Sequence, residues 1–219
     1  MQESDTLKKN TQKHFDDWAG HYDDGRMSKW FRYFQSKIID QVHPQPKQKI
    51  LDVGCGTGWA VREIARQVPE AEAFGVDISD EMIRLAQQQS DGLDSAHFQQ
   101  GDSEHISFPD EHFDAVICSS SFHHYPYPVA SLSEIRRVLK SGSALFLLDR
   151  IRDKMPAVII YDLVQKIYRD DHVRYYKSEE LIHFITLAGF SEIHEVLRDQ
   201  GFFRHSKLTT SEILLKAIK

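Results

Sequence analysis

The stretch Ile50-Leu51-Asp52-Val53-Gly54-Cys55-Gly56-Thr57-Gly58-Trp59-Ala60 narrows the fold more than any other part of the chain. A short apolar strand runs into three glycines at alternate positions and then into the helix-forming run Ala60–Arg66. Glycine has no Cβ, so such a turn lets a ligand approach the backbone closely. The helix N-terminus behind it offers free N–H groups and the positive end of a dipole to an anion. Asp77 follows 19 residues after Gly58, closing a second strand-like run, Ala73–Asp77. A carboxylate there is placed to accept hydrogen bonds from ribose hydroxyls. A parallel α/β sheet with a ribose-containing ligand at its strand ends is expected.

The rest of the chain agrees with that architecture. Strand patterns near 49–53, 72–77, 96–100, 113–118 and 143–149 alternate with helical patterns near 59–67, 80–90 and 129–139. Alternation of this kind implies parallel strands joined by crossover helices. Residues 1–43 read as a helical entrance segment or lid, with Phe15, Trp18 and Tyr22 on one face and Trp30, Phe31 and Phe34 on the next. Pro44 and Pro46 end it, so residues 44–219 form the ligand-binding domain, with a helical insertion at about 150–177. Within that insertion 155–169 is expected to be helical, and Ser178 is expected to cap a helix ending before Gly189. The runs Glu192–Leu197 and Ser211–Ile218 are close enough to pair as an antiparallel hairpin.

Composition excludes several classes. A net charge of −6 with no long Lys/Arg cluster argues against nucleic acid as a partner. Lys8-Lys9 and Arg136-Arg137 read instead as solvated helix faces. No apolar run reaches the ~18–20 residues that span a bilayer, and Met1–Asn10 lacks the apolar core of a signal peptide. Cys55 and Cys118 form no CxxC pair, which suits a reducing, cytoplasmic setting. His97, His105 and His112 lie near Asp102, Glu104, Asp110 and Glu111 but at no recognised ligand spacing. A polar loop is expected there, and no metal.

The nucleoside is selected by spacing. A dinucleotide fingerprint, G-x-G-x-x-G/A, would need a small residue at position 59 or 61, where Trp59 and Val61 stand. The order Asp52-x-Gly54-x-Gly56-x-Gly58 instead resembles motif I of the class I S-adenosylmethionine (SAM)-dependent methyltransferases. The resemblance covers roughly residues 45–150. It extends to Phe15–Asp23, similar to an F-D-x-x-A-x-x-Y-D entrance segment, and to Arg137–Ser143, similar to an R-V-L-K-P-G-G turn. Within the class the chain looks most like the small-molecule group. The resemblance implies an α/β, Rossmann-like doubly wound sheet of seven strands, mostly parallel, with a C-terminal antiparallel hairpin and helices on both faces.

It also implies a site. Gly54 and Gly56 would admit the methionine end of SAM, with Asp52 bracing the turn or contacting the amine and Tyr22 entering from the lid. Asp77 would hold the ribose, Ile78 and Met82 the adenine faces, and Asp102 with the Ser103 N–H the adenine edge. Strand four ends in Ser119-Ser120-Ser121-Phe122-His123-His124-Tyr125-Pro126, so this loop, which starts at Ser119 and carries the two histidines, should face the sulfonium. Methyl transfer needs alignment and, for a protonated acceptor, a base. His123 or His124 is the candidate, one of the two pointing inward. Asn10 is the only asparagine and there is no Pro-Cys pair, which excludes the amino- and cytosine-C5-methylating motifs. The resemblance to the small-molecule group implies a small-molecule acceptor, with oxygen, nitrogen, carbon and sulfur all open. A non-catalytic SAM-binding module is one alternative. An NAD(P)-dependent oxidoreductase is a weaker one, its only Tyr-x-x-x-Lys match, Tyr33–Lys37, lying upstream of the glycines.

Overall fold

The computed structural model describes residues 2–153, 174–199 and 211–219. Two helices, α1 (Gln2–Tyr22) and α2 (Gly25–Val42), precede the sheet. Strand and helix then alternate through β1 (Lys49–Val53), α3 (Trp59–Gln67), β2 (Glu72–Asp77), α4 (Asp80–Gln88) and β3 (Ala96–Gln100), and a loop without a helix leads on to β4 (Phe113–Ser119). A single 3₁₀ turn, Phe122–His124, leads into α5 (Pro128–Val138), β5 (Leu139–Ile151), α6 (Ser178–Leu187), β6 (Ser191–Asp199) and β7 (Ser211–Ile218).

The seven strands lie in the order β3-β2-β1-β4-β5-β7-β6. β1 to β5 are parallel, and β7 slots between β5 and β6, antiparallel to both. Period-two alternation divides the core between the two faces. Leu51 and Val53 face a cluster with Phe113, Leu132, Ile135 and Leu181, while Ile50 faces Ala60, Val61, Ile64, Trp30 and Phe34. The helix-spaced apolar residues Ala60, Val61, Ile64 and Ala65 are what seat α3 on the sheet. Trp30, Phe34, Ile38 and Ile39 seat α2 on the same face.

Some expectations need correction. β5 begins at Leu139 rather than at 143, because Leu139 pairs with Phe113 before a register shift restores Ala115↔Ala144. The expected turn at 137–143 is thereby drawn into the strand. Ser178 is the first residue of α6 and not its cap. Lys177 caps it, with its N–H on Glu180 Oε2 at 2.8 Å, while Ser178 donates its own N–H to Asp153. Arg137 is no solvated residue: it clamps Glu134, Asp110 and the carbonyls of Ile106 and Phe108. The helix expected at 155–169 lies outside the described residues.

Candidate active site

The strand order reverses between β1 and β4, and ligands of open α/β sheets bind beyond the strand ends at such a point. The glycine turn sits there. Gly54 and Gly56 have φ of 76° and 53°, in the left-handed region. A Cβ on Gly54 would stand 2.5 Å from Ser121 Oγ, and one on Gly56 3.3 Å from the Tyr22 hydroxyl. The absent side chains thus keep the turn open toward β4 and α1. The N–H groups of Gly54 and Cys55 donate to Val76 O at 2.8 and 3.1 Å, tying the turn to β2.

Asp77 organises this corner. Its Oδ2 accepts from the Gly56 N–H at 2.8 Å and its Oδ1 from the Ser79 N–H at 3.0 Å. Each oxygen keeps further acceptor capacity. Burial pushes its pKa upward, partly offset by those backbone donors. Beneath the turn, Asp52 is 1% exposed, and neither of its oxygens has a hydrogen-bond partner among the described residues. Burial, and secondly the charge of Asp77, push its pKa up to about 8. An orphaned buried carboxylate calls for a cationic or hydrogen-bonding partner.

A cleft of about 720 Å³ opens above these residues. It gathers Tyr22, Gly54, Gly56, Asp77, Ile78, Met82, Asp102, Ser103, Ser119 and His124. Asp52 and His123 are the two expected site residues that do not line it. Asp52 lies under its floor, and His123 faces a second cavity of about 670 Å³. Both histidines line this second cavity, and His124 lines both spaces. Phe15, Tyr22 and Ser120 are also shared, so the two cavities adjoin.

Lys8, Asp16, Asp149 and Glu212 are residues here that escaped the sequence reading. Lys8, expected on a solvated face, reaches Asp102 Oδ2 at 2.6 Å and Glu104 Oε2 at 2.7 Å. Burial opposes its charge, but these two partners outweigh burial and raise its pKa. Asp16 Oδ1 accepts from Ser79 Oγ at 2.6 Å, so α1 is fastened at both ends of the cleft. The second cavity is walled by Trp18, Trp30, Phe31 and Tyr175 and carries Asp149, Arg150 and Glu212. The signal for the first two of these was a charged pair, Asp149-Arg150, directly after the apolar run Ala144–Leu148.

Residues 51–147 match the family model described as a methyltransferase domain. The demethylmenaquinone methyltransferase of Lactiplantibacillus plantarum is 27% identical over 212 residues, 88% of this chain and 87% of that protein. That of Porphyromonas gingivalis is 35% identical over 147 residues, 63% of this chain and 59% of the relative. The chain carries a methyltransferase domain of the class I SAM-dependent type. Its fold is shared with the YcgJ protein of Bacillus subtilis, at a TM-score of 0.71 and 21% identity over 86% of this chain and 98% of that one. A SAM-dependent methyltransferase from Aquifex aeolicus gives a TM-score of 0.67 at 19% identity, over 93% and 98%.

This methyltransferase uses SAM as its methyl donor. The site fits that group on its own geometry: the orphaned Asp52 carboxylate, the open glycine turn, and the Thr11 and Ser120 hydroxyls, buried at the cleft without partners among the described residues. No helix among the described residues is long and apolar enough to cross a membrane.

Proposed function

We propose that the cleft at the glycine turn holds SAM and that the adjoining aromatic cavity holds a planar, hydroxyl-bearing acceptor of the quinol type. SAM, when bound, supplies an electrophilic methyl group on a sulfonium. In this reading the turn at Gly54 and Gly56 admits the methionine end, with Asp52 answering its ammonium. Tyr22 and Ser119 flank that end from opposite sides. Asp77 accepts from the ribose hydroxyls while the Gly56 and Ser79 N–H groups keep it aimed. Ile78 and Met82 enclose the adenine, and Asp102 with Ser103 borders its edge under the hold of Lys8. Helix α1 serves as the lid over this cleft, and residues 44–219 form the domain beneath it.

The observation that carries the reading is the adjacency of the two cavities across His124 and Ser120. Such adjacency suits an acceptor beside the reactive end of the cofactor, as in-line transfer requires. The aromatic walls and the relatives named for demethylmenaquinone methylation support a quinol acceptor. Two measurements test this. S-adenosylhomocysteine (SAH) should raise the melting temperature and NADH should not; saturation at 100 times Kd adds about 2.7 kcal/mol. Methyl-labelled SAM should then transfer label to reduced 1,4-naphthoquinone. A shift with NADH and none with SAH would refute the cofactor assignment, and absence of label in the quinol would refute the acceptor class.

A further inference from the structure

We propose that His123 is the general base of the transfer and that Asp149 is the positioning residue that makes it so. The inference rests on the acceptor cavity assigned above. Parallel pairing of β4 with β5, which sets Ser119 beside Leu148, brings the turn after β4 against the end of β5. There Asp149, 1% exposed, receives His123 twice. The His123 backbone N–H donates to Oδ2 at 2.8 Å, and ring Nδ1 lies 2.7 Å from Oδ1. The Arg150 N–H also donates to Oδ1, at 2.7 Å. A carboxylate held by two backbone donors acts as an acceptor, so the ring proton belongs on Nδ1. That leaves the lone pair on Nε2, and His123 lines the aromatic cavity. A base fixed by a third group is the arrangement that activates acceptors in acyl-transfer triads.

The surroundings hold the ring in place. His123 packs between His124, at 4.2 Å between centroids, and Tyr175, at 4.9 Å. Tyr175 is backed by Arg150, whose guanidinium also lies over Trp30 at 5.1 Å and pairs with Glu212 Oε1 at 3.3 Å. The Arg174 N–H donates to the His123 carbonyl at 2.8 Å. His124 differs: its ring stands edge-on to Phe15 of α1 at 4.9 Å and forms the wall between the two cavities. His123 takes the proton, and His124 shapes the passage.

In the step itself an electron pair of the acceptor forms the new bond to the methyl carbon while sulfur retains the pair of the broken S–C bond. The acceptor's proton passes to His123 Nε2, so charge and atoms balance. No oxidant or reductant enters.

Long-range ¹⁵N–¹H correlation on protein labelled at histidine reads the tautomer directly, with His123→Gln identifying the signal. The wild-type protein, measured free and with SAH, should show His123 as the Nδ1–H form. Asp149→Asn, which can present an amide donor to Nδ1, should move it to the Nε2–H form while SAH affinity by calorimetry stays within about three-fold. With reduced 1,4-naphthoquinone as probe, kcat should fall 100-fold or more, with KM nearly unchanged. An Nε2–H tautomer in the wild type, or equal kcat in Asp149→Asn, overturns the proposal, and the wild-type spectrum decides even if Asp149→Asn does not fold. Failure of SAH to bind the wild type would instead remove the cofactor reading and leave the tautomer result standing.

Discussion

Asp52→Asn probes the charge beneath the glycine turn, and its consequences reach both binding and stability. With a pKa of about 8, Asp52 is roughly 90% protonated at pH 7 in the free protein. An ammonium brought to it favours the ionised form, so SAH binding should expel about 0.9 proton at pH 7 and only about 0.1 at pH 9. The stability effect has a definite sign. The folded pKa lies above the ordinary 3.8, so the folded state binds more protons between about pH 4 and pH 8. Stability contributed at low pH is therefore lost as pH rises through that window. At about 1.4 kcal/mol per pH unit the loss has an upper bound of about 6 kcal/mol, reduced by whatever water or structural relaxation reaches the group. Titration calorimetry with SAH in phosphate, HEPES and Tris at one pH gives the proton count from the slope against buffer ionisation enthalpy. Asp52→Asn should abolish that slope, weaken SAH by roughly 10- to 150-fold, and raise the melting temperature of the free protein at pH 8. Buffer-independent enthalpies in the wild type, or the same slope in Asp52→Asn, would refute the reasoning.

Two further substitutions address the rest of the cleft. Asp77→Ala should also weaken SAH by about 10- to 150-fold in calorimetry, since it removes the proposed ribose acceptor and releases the Gly56 and Ser79 N–H groups. Lys8→Met breaks both ion pairs that hold α1 to the Asp102 loop, so stopped-flow measurement should show SAH leaving several-fold faster. Added salt should narrow that difference by screening the wild-type pairs.

The half of the molecule proposed to hold the cofactor is local in sequence, and local patterns expose it. Asp52, the three glycines and Asp77 lie on two consecutive strands and their turns, where spacing alone fixes who meets whom. Strand and helix bounds such as 49–53 and 59–67 followed from periodicity punctuated by glycine. The acceptor half is assembled from distant pieces. His123 meets Asp149 only because β4 and β5 pair in one particular register, and Arg150 meets Glu212 only because β7 crosses back to β5. Lys8 was misread for the same reason: a lysine on an amphipathic helix looks solvated until α1 folds over residues more than ninety positions away. Ser178 shows the opposite error, a good capping residue displaced by one position because Asp153 supplies its partner from elsewhere.

Inserting β7 between β5 and β6 gives the two halves of the site different dependence on the sheet. Every strand under the cofactor cleft is already paired within β1–β4, whereas Glu212 enters the acceptor cavity only when β7 is in place. Such a strand closes long sequence separations and is docked at a high entropic cost. Transient release of the β6–β7 ribbon would take Glu212 from Arg150 and loosen the stack on Tyr175 and His123, yet leave Asp77 and the glycine turn intact. Amide hydrogen exchange should accordingly find a partly opened form with its edge ribbon unprotected, still able to bind SAH but without an ordered place for the molecule to be methylated.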